Sequence, residues 1–296
     1  GDDTLIGGTG DDRLIGGEGS DTADYSSESS KVIASLTGLN AQGSSSGIDI
    51  LSSIENITGT NLSGSADTII GDDFANILKG LAGDDTITEG AGDDSVYGGA
   101  GNDYIYAGAG DDYIDGDDDN DTSIIKGTKD TLDFSSTSGL TITDDTVDTR
   151  DADGTGIDST SSASDAYSGI EIDLDITTAQ RIHADFGTDT IINIENVIGS
   201  DKNDYISGNA NANTLTGGAG NDYLIGLGGA DKLIGGSGTD TADYSTGLSN
   251  VIIDMTKAQT DGSINTYRVS NDGYDNNEFI EGIENIITGS GADTIY

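Results

Sequence analysis

The sequence predicts an all-β protein, a parallel β-roll or β-helix solenoid interrupted by linker segments with longer strands. Two observations predict this fold class. A nine-residue phrase recurs at constant spacing, most clearly at 98–106 and 217–225. Its sixth position holds an acidic or amide residue for eight consecutive steps of nine, from Asp67 to Asp130. Because one unit of this size cannot bury a core by itself, such units are stable only when they stack on one another.

Each position of the phrase has a physical reason. Glycine at the first, second and fourth positions permits a tight turn whose backbone angles a Cβ would forbid, and Gly98 and Gly217 open the two clearest copies. The aspartate at the sixth position supplies the hard anionic oxygen that calcium prefers. An apolar residue two positions later, such as Ile105, is expected to point inward from a three-residue strand. The phrase therefore predicts a calcium-binding turn followed by a short strand.

The phrase fits G-G-x-G-x-D-x-U-x, where U is apolar, and so resembles the RTX family of hemolysin-type calcium-binding repeats found in secreted bacterial proteins. The resemblance implies that loops eighteen residues apart stack and share an ion. Asp85 and Asp103 would then line one edge of the roll. Asp94 and Asp112 would line the other edge. Calcium, bound at multiple sites, is the cofactor that this resemblance implies.

The predicted calcium-binding residues occupy the sixth position of a repeat or, for two glycines, the first. They are Asp3, Asp12, Asp21, Asp67, Asp85, Asp94, Asp103, Asp112, Asp121, Asp204, Asp222, Asp231, Asp240, Asp293, Gly98 and Gly217. Glu195 and Glu284 fall in the same register, and we interpret them as cap positions with a longer carboxylate.

Repeat runs and linkers alternate along the chain. The predicted order is a run at 1–23, linker strands at 24–61, a run at 62–133, a long linker or insertion at 134–194, a run at 195–242, linker strands at 243–283 and the start of a further run at 284–296. Each linker begins near an Asp-Tyr-Ser or Asp-Phe-Ser sequence and ends with Ile-Glu-Asn. This arrangement resembles the linkers between RTX runs of large bacterial exoproteins. Alternating apolar residues predict one-sided strands at 32–36, 170–176 and 251–255.

Composition excludes several classes of partner. The 296 residues include 11 basic and 55 acidic side chains, for a net charge of −44, which opposes binding to nucleic acid or to an anionic membrane. There is no cysteine, and no stretch approaches the ~20 apolar residues of a membrane-spanning helix. A chain this acidic and this poor in aromatic residues has too little apolar surface to fold unaided. We therefore expect calcium to drive folding.

No catalytic constellation is predicted, and we expect that the chain is not an enzyme. Residues 43–47 fit G-x-S-x-G, but a nucleophile elbow needs a strand before it, a helix after it and a histidine base. His183 is the single histidine of the chain. A serine- and glycine-rich loop is the better interpretation of this motif.

Three functions remain open from the sequence, one of which is carbohydrate binding through the exposed tyrosines or the middle linker. The first is a secreted, extracellular structural or adhesive protein at the bacterial cell surface, such as a segment of a surface layer, fibre or adhesin. Its expected partners are further copies of itself or components of the cell surface or matrix. The second is the calcium-folded carrier region of a type I-secreted enzyme or toxin. The chain starts at the fourth repeat position and ends at the ninth, so we expect it to be a piece of a longer protein.

Overall fold

The computed structural model describes residues 1–38, 40–43, 47–117, 129–135, 169–183, 186–247, 250–254, 266–272 and 278–296. The chain forms two compact units. Unit 1 comprises Gly1–Asp133, Thr177–Gln180 and Phe186–Ile194, and unit 2 comprises Phe134–Ile176, Arg181–Asp185 and Glu195–Tyr296. Every regular element in the described ranges is a β-strand, and no helix there is long and apolar enough to cross a membrane.

Fourteen strands precede residue 134. They are β1 (Thr4–Leu5), β2 (Arg13–Ile15), β3 (Thr22–Asp24), β4 (Val32–Ser35), β5 (Asn40–Gly43), β6 (Gly47–Ser52), β7 (Asn56–Thr58), β8 (Thr68–Ile70), β9 (Ile77–Ala82), β10 (Thr86–Thr88), β11 (Ser95–Ala100), β12 (Tyr104–Tyr106), β13 (Tyr113–Asp115) and β14 (Thr131–Asp133). All fourteen belong to unit 1.

Fourteen further strands follow in the described part of the chain. They are β15 (Glu171–Asp173), β16 (Gln180–His183), β17 (Gly187–Ile192), β18 (Asn196–Ile198), β19 (Tyr205–Ser207), β20 (Thr214–Ala219), β21 (Tyr223–Ile225), β22 (Lys232–Ser237), β23 (Thr241–Tyr244), β24 (Val251–Asp254), β25 (Thr266–Asp272), β26 (Glu278–Glu281), β27 (Asn285–Thr288) and β28 (Thr294–Ile295). Of these, β17 lies in unit 1.

Within the runs, the chain alternates between two sheets, so each strand pairs in parallel with the strand eighteen residues away. Thr86 of β10 is paired with Tyr104 of β12 in one sheet, and Ser95 of β11 is paired with Tyr113 of β13 in the other. In unit 1 the sheets run β1-β3-β7-β9-β11-β13-β17 and β2-β6-β5-β4-β8-β10-β12-β14. In unit 2 they run β15-β19-β21-β23-β27 and β18-β20-β22-β26-β25-β24-β28. The predicted parallel β-roll is confirmed.

The eighth repeat position provides one column of buried apolar residues in each of the two sheets. Ile87, Ile105 and Ile114 are fully buried in unit 1, and Leu215 and Leu224 are fully buried in unit 2. The residues on either side of Ile87 and Ile105 are less buried than these two side chains, as the two-residue period of a strand predicts. One buried side chain per half-turn is a thin core, so packing alone contributes little stability to each turn.

The linkers add antiparallel strands that the sequence did not predict. β4 and β24 lie where the alternation predicted one-sided strands, and both bury every second residue. Each continues into a meander, β4-β5-β6 or β24-β25-β26, whose neighbouring strands are antiparallel. The outer strands of each meander pair in parallel with run strands: β6 with β2 and β4 with β8, β26 with β22 and β24 with β28. A linker therefore inserts three strands into one sheet without ending the roll.

Between Asp103 and Asp130 the nine-residue register does not predict the observed stacking. The register predicts that the strand after Asp121 stacks on β12, but β14 takes that position, with Thr131 paired to Tyr104. The turn is therefore nine residues longer than a regular one, and Asp130 instead of Asp121 follows Asp103 in the stack. Asp121 itself lies outside the described residues.

Candidate metal centre

The sixth-position acids form a hydrogen-bonded ladder along one edge of unit 1. In each step, the Oδ1 atom of an aspartate accepts the backbone N–H of the acid one turn earlier. The N–H of Asp67 donates to Asp85 at 2.7 Å, that of Asp85 donates to Asp103 at 2.8 Å, and that of Asp103 donates to Asp130 at 2.8 Å. These four residues define what we call the Asp103 edge.

The same ladder runs along the opposite side of the turns, which we call the Asp94 edge. The N–H of Asn76 donates to Asp94 at 2.7 Å, and that of Asp94 donates to Asp112 at 2.8 Å. The N–H of Asp112 in turn donates to Asp189 at 3.1 Å. The stacking of Asp85 with Asp103 and of Asp94 with Asp112 is the one that the resemblance implied.

Unit 2 repeats this geometry. The N–H of Asp204 donates to Asp222 and that of Asp222 donates to Asp240, both at 2.9 Å. On the other edge, the N–H of Asn213 donates to Asp231 at 2.7 Å. The ladder is therefore a property of the repeat and not of one unit.

The second carboxylate oxygen of the ladder aspartates is buried without a hydrogen-bond partner. This applies to the Oδ2 atoms of Asp21, Asp85, Asp94, Asp103, Asp112, Asp222 and Asp240. The side chains of these residues are at most 3 % exposed. A buried carboxylate oxygen without a partner is costly, so a column of them requires a compensating cation.

The first glycine of each repeat leaves room for that cation. A Cβ built on Gly80 would lie 2.5 Å from both Asp85 Oδ2 and the carbonyl oxygen of Gly98. A Cβ on Gly98 would lie 2.6 Å from Asp103 Oδ2, and one on Gly217 would clash with Asp222 Oδ2. Each glycine thus forms one wall of a space lined by a carboxylate and a carbonyl oxygen. Those are the ligands that calcium prefers, so the residues present fit a calcium ion.

The loop glycines also provide backbone angles that other residues rarely adopt. Gly99 and Gly101 have φ angles of 108° and 145°. These angles turn the chain sharply between β11 and the ladder residue Asp103, which keeps loop carbonyls beside the carboxylate. A Cβ at either position would strain this turn.

Electrostatics also indicates a cation. Burial, together with the negative charge of neighbouring ladder carboxylates, raises the pKa of Asp85 to about 7 and that of Asp103 to about 8. In unit 2, burial raises the pKa of Asp222 to about 7 and that of Asp204 to about 8. Without a cation, the carboxylates of the stack would hold protons near neutral pH, whereas a calcium ion would keep them ionised.

Predicted residues at the ends of runs lie in less regular surroundings. Asp3 is exposed, and its N–H donates to Asp21 at 2.7 Å. Asp293 is half-buried and accepts the N–H of Val251 at 2.9 Å. Asp67 and Asp204 each lie at the start of a run, and both oxygens of each carboxylate accept backbone N–H groups. These four acids lie at places where a neighbouring repeat is incomplete.

Each linker places one acid beside a ladder aspartate, and the sequence analysis missed all three. Asp12 donates its N–H to Asp49 at 3.0 Å in the first linker, and Asp112 donates to Asp189 in the second. In the third, a Cβ on Gly226 would lie 2.6 Å from Asp231 Oδ2 and 2.8 Å from Glu278 Oε1.

A sequence signal for these linker acids exists. Asp49, Asp189 and Glu278 each stand five residues before the isoleucine of the Ile-Glu-Asn motif. The first two also follow a glycine by two positions, as the ladder aspartate of a repeat does. The end of each linker therefore contains part of the repeat pattern.

Two of the three glutamates of the Ile-Glu-Asn motifs also join the ladder. The N–H of Asp21 donates to Glu55 Oε2, and that of Asp240 donates to Glu284 Oε2, both at 2.8 Å. The longer side chain reaches the position that an aspartate occupies within a run. The predicted cap interpretation of Glu284 agrees with this position, and Glu55 has the same role although it lies outside the nine-residue register.

The remaining candidates from the sequence are the G-x-S-x-G segment and His183. Residues 44–46 of the G-x-S-x-G segment lie outside the described residues. His183 is 1 % exposed within β16.

A family model described as the RTX calcium-binding nonapeptide repeat (4 copies) matches residues 1–27, 63–96, 90–122, 193–224, 207–242 and 280–296. Together these matches cover just over half of the chain, and they contain the ladder acids of the runs except Asp130. The chain therefore belongs to the RTX calcium-binding repeat family and binds calcium at multiple repeats. A search among curated proteins found no significant match.

Proposed function

We propose that this protein is an extracellular structural or adhesive segment of a bacterial surface layer, fibre or adhesin, which folds on calcium after secretion and has no catalytic role of its own. The observation that carries this proposal is the return of an acid to the ladder by every linker, at Asp49, Asp189 and Glu278. A chain in which runs and linkers alike maintain one calcium-dependent scaffold is suited to bearing load.

An exposed apolar strip in the first linker supports contacts with further copies of the chain. Ile33 and Ile48 lie on either side of Gln42 in adjacent strands, and Ile50 follows on the same face. Their side chains are 47 %, 54 % and 48 % exposed. Neighbouring exposed isoleucines are typical of interaction surfaces, and calcium bound to the ladders would reduce the repulsion between copies that each carry a net charge of −44.

A calcium titration followed by far-ultraviolet circular dichroism and light scattering tests the proposal. We expect a gain of β-sheet signal followed by growth to large particles. A variant with Ile33, Ile48 and Ile50 replaced by serine should gain the same β-sheet signal but remain small. Folding of the parent without growth at any calcium concentration would contradict the self-associating role.

The second candidate is the carrier region of a type I-secreted enzyme or toxin. The family match favours it, because RTX repeat proteins are generally secreted by type I systems. It predicts that the folded chain stays monomeric and carries an unrelated passenger through the same export route. The light-scattering arm of the titration separates the two candidates.

A further inference from the structure

Glu89 departs from the repeat at the position that shapes the calcium space. The first position is glycine in the preceding and following repeats, at Gly80 and Gly98, but glutamate in the repeat between them. Glu89 is 0 % exposed, and its Oε1 accepts the N–H of Gly108 in the next turn of the same edge. A large acidic side chain therefore occupies a position that is glycine, without a Cβ, in the two adjacent repeats.

The carboxylate of Glu89 meets two ladder acids of the Asp94 edge. Carboxylate oxygens of Glu89, Asp94 and Asp112 all lie within 4.8 Å of one another, and all three residues are buried. Glu89 Oε2, Asp94 Oδ2 and Asp112 Oδ2 are each buried without a hydrogen-bond partner. Each of the three converging carboxylates thus has a buried oxygen without a partner, so together they form the donor set of a cation.

The ion position beside Glu89 carries one more negative charge than a regular ion position. Between Asp85 and Asp103, on the opposite edge, two carboxylates face a glycine. Between Asp94 and Asp112 a third carboxylate is added in fully buried surroundings. The attraction of a cation to each carboxylate is stronger where water is excluded, and calcium affinity rises with the number of charged ligands.

We propose that Glu89 is a direct third carboxylate ligand of the cation bound between Asp94 and Asp112, which makes this the tightest calcium position of unit 1 and one that favours trivalent lanthanide ions over calcium. The alternative is that the Glu89 side chain fills the space of an ion and prevents one from binding there. The two alternatives predict opposite effects of removing Glu89: calcium binding becomes weaker in the first case, and a site is added in the second. The inference rests on calcium binding by the repeats and not on the surface role.

The test is isothermal titration calorimetry of the full chain with calcium and, separately, terbium. Glu89→Gly restores the glycine of the repeat, and Glu89→Gln keeps the shape but removes the charge. We expect both variants to weaken the tightest calcium and terbium sites roughly 10- to 100-fold and to keep the number of bound ions. The matched control is Glu18→Gly, a substitution at the exposed third position of a repeat, which should leave both isotherms unchanged.

Two results would overturn the proposal. One extra bound ion, or tighter binding, in Glu89→Gly would mean that the glutamate replaces an ion. Parent affinity in Glu89→Gln would mean that its charge does not contact the cation. Circular dichroism at saturating calcium checks that each variant folds. Glu89→Gly restores the sequence of the repeat and is therefore expected to fold. Its failure to fold would also contradict a purely metal-binding role for Glu89.

Discussion

The nonapeptide runs and the linkers build the same acidic ladder by different backbone routes. In a run, each turn takes eighteen residues, and the ladder acid comes from a glycine-rich loop, as at Asp85 and Asp103. In the first linker, the chain passes through the antiparallel meander β4-β5-β6 before Asp49 accepts the N–H of Asp12. Runs and linkers therefore share the position of the carboxylate beside the previous turn, although the backbone reaches that position by different paths.

The largest expected effect is that of calcium removal, because runs and linkers share the calcium-binding ladder. Removal of calcium by a chelator should abolish the β-sheet signal of runs and linkers together, because the core is thin and the stacked carboxylates repel one another. Far-ultraviolet circular dichroism measures this, with magnesium at equal concentration as the control. Magnesium should not restore the fold, because it demands a smaller and more regular site. Retention of the full signal in chelator would contradict the calcium-driven ladder.

Within a run, Asp103→Ala should have the next largest effect. Asp103 lies between Asp85 and Asp130, so its loss removes a ligand from two neighbouring ion positions. At calcium one hundred times the dissociation constant, each lost site lowers the free energy of unfolding by about 2.7 kcal/mol, and so the expected loss is about 5 kcal/mol. Urea denaturation measures it, and the exposed Asp73→Ala is the charge-matched control. Equal stability of the two variants would refute the assignment.

A linker acid should matter about half as much. Asp49 stacks on one acid, Asp12, so Asp49→Ala should remove one ion position and lower the free energy of unfolding by about 3 kcal/mol. The same urea experiment compares it with Asp103→Ala and Asp73→Ala. If Asp49→Ala behaved like Asp73→Ala, the linkers would be spacers that contribute nothing to the ladder.

The glycines of the two regions should differ as well. In Gly98→Ala the new methyl group would lie 2.6 Å from Asp103 Oδ2, so we expect a loss of about 2 kcal/mol together with weaker calcium binding. In the linker, a Cβ on Gly38 would lie 3.5 Å from Ser35 Oγ, an ordinary contact, so Gly38→Ala should be nearly neutral. Thermal unfolding at fixed calcium measures both. Similar melting temperatures would argue against a tight ion space at Gly98.

The smallest expected effect is a pH dependence that both regions share. Burial raises the pKa of Asp103 in a run and of Asp189 in a linker to about 8. Since the folded, calcium-free state then binds more protons than the unfolded chain, this stabilisation is full below about pH 4 and is lost as the pH rises through 8. In calcium-depleted buffer, the β-sheet signal should therefore be larger at pH 4.5 than at pH 8.5. The opposite trend in circular dichroism would show that the acids are not buried together.

Most of the fold and of the run sites could be predicted because they depend on local spacing. Glycines before Asp103 set the loop, and Ile105 after it fills the core, so nine residues are enough to specify a half-turn. Asp49, Asp189 and Glu278 were missed because their partners are 37 to 77 residues away and no local phrase surrounds them completely. The register also assigned the position after Asp103 to Asp121, whereas Asp130 occupies it.

The sequence by itself determined the all-β class, the eighteen-residue turn, the calcium cofactor and most of the run acids, because each depends on residues that are close together in the chain. The tertiary structure decided which acids complete the sites at the ends of runs, how the meanders enter the sheets, and that Glu89 joins Asp94 and Asp112. Those outcomes depend on which strands stack, and a stacked partner can come from any distance along the chain. Local sequence thus determines each half-turn with its ladder acid, and the packing of the strands determines which half-turns lie next to one another.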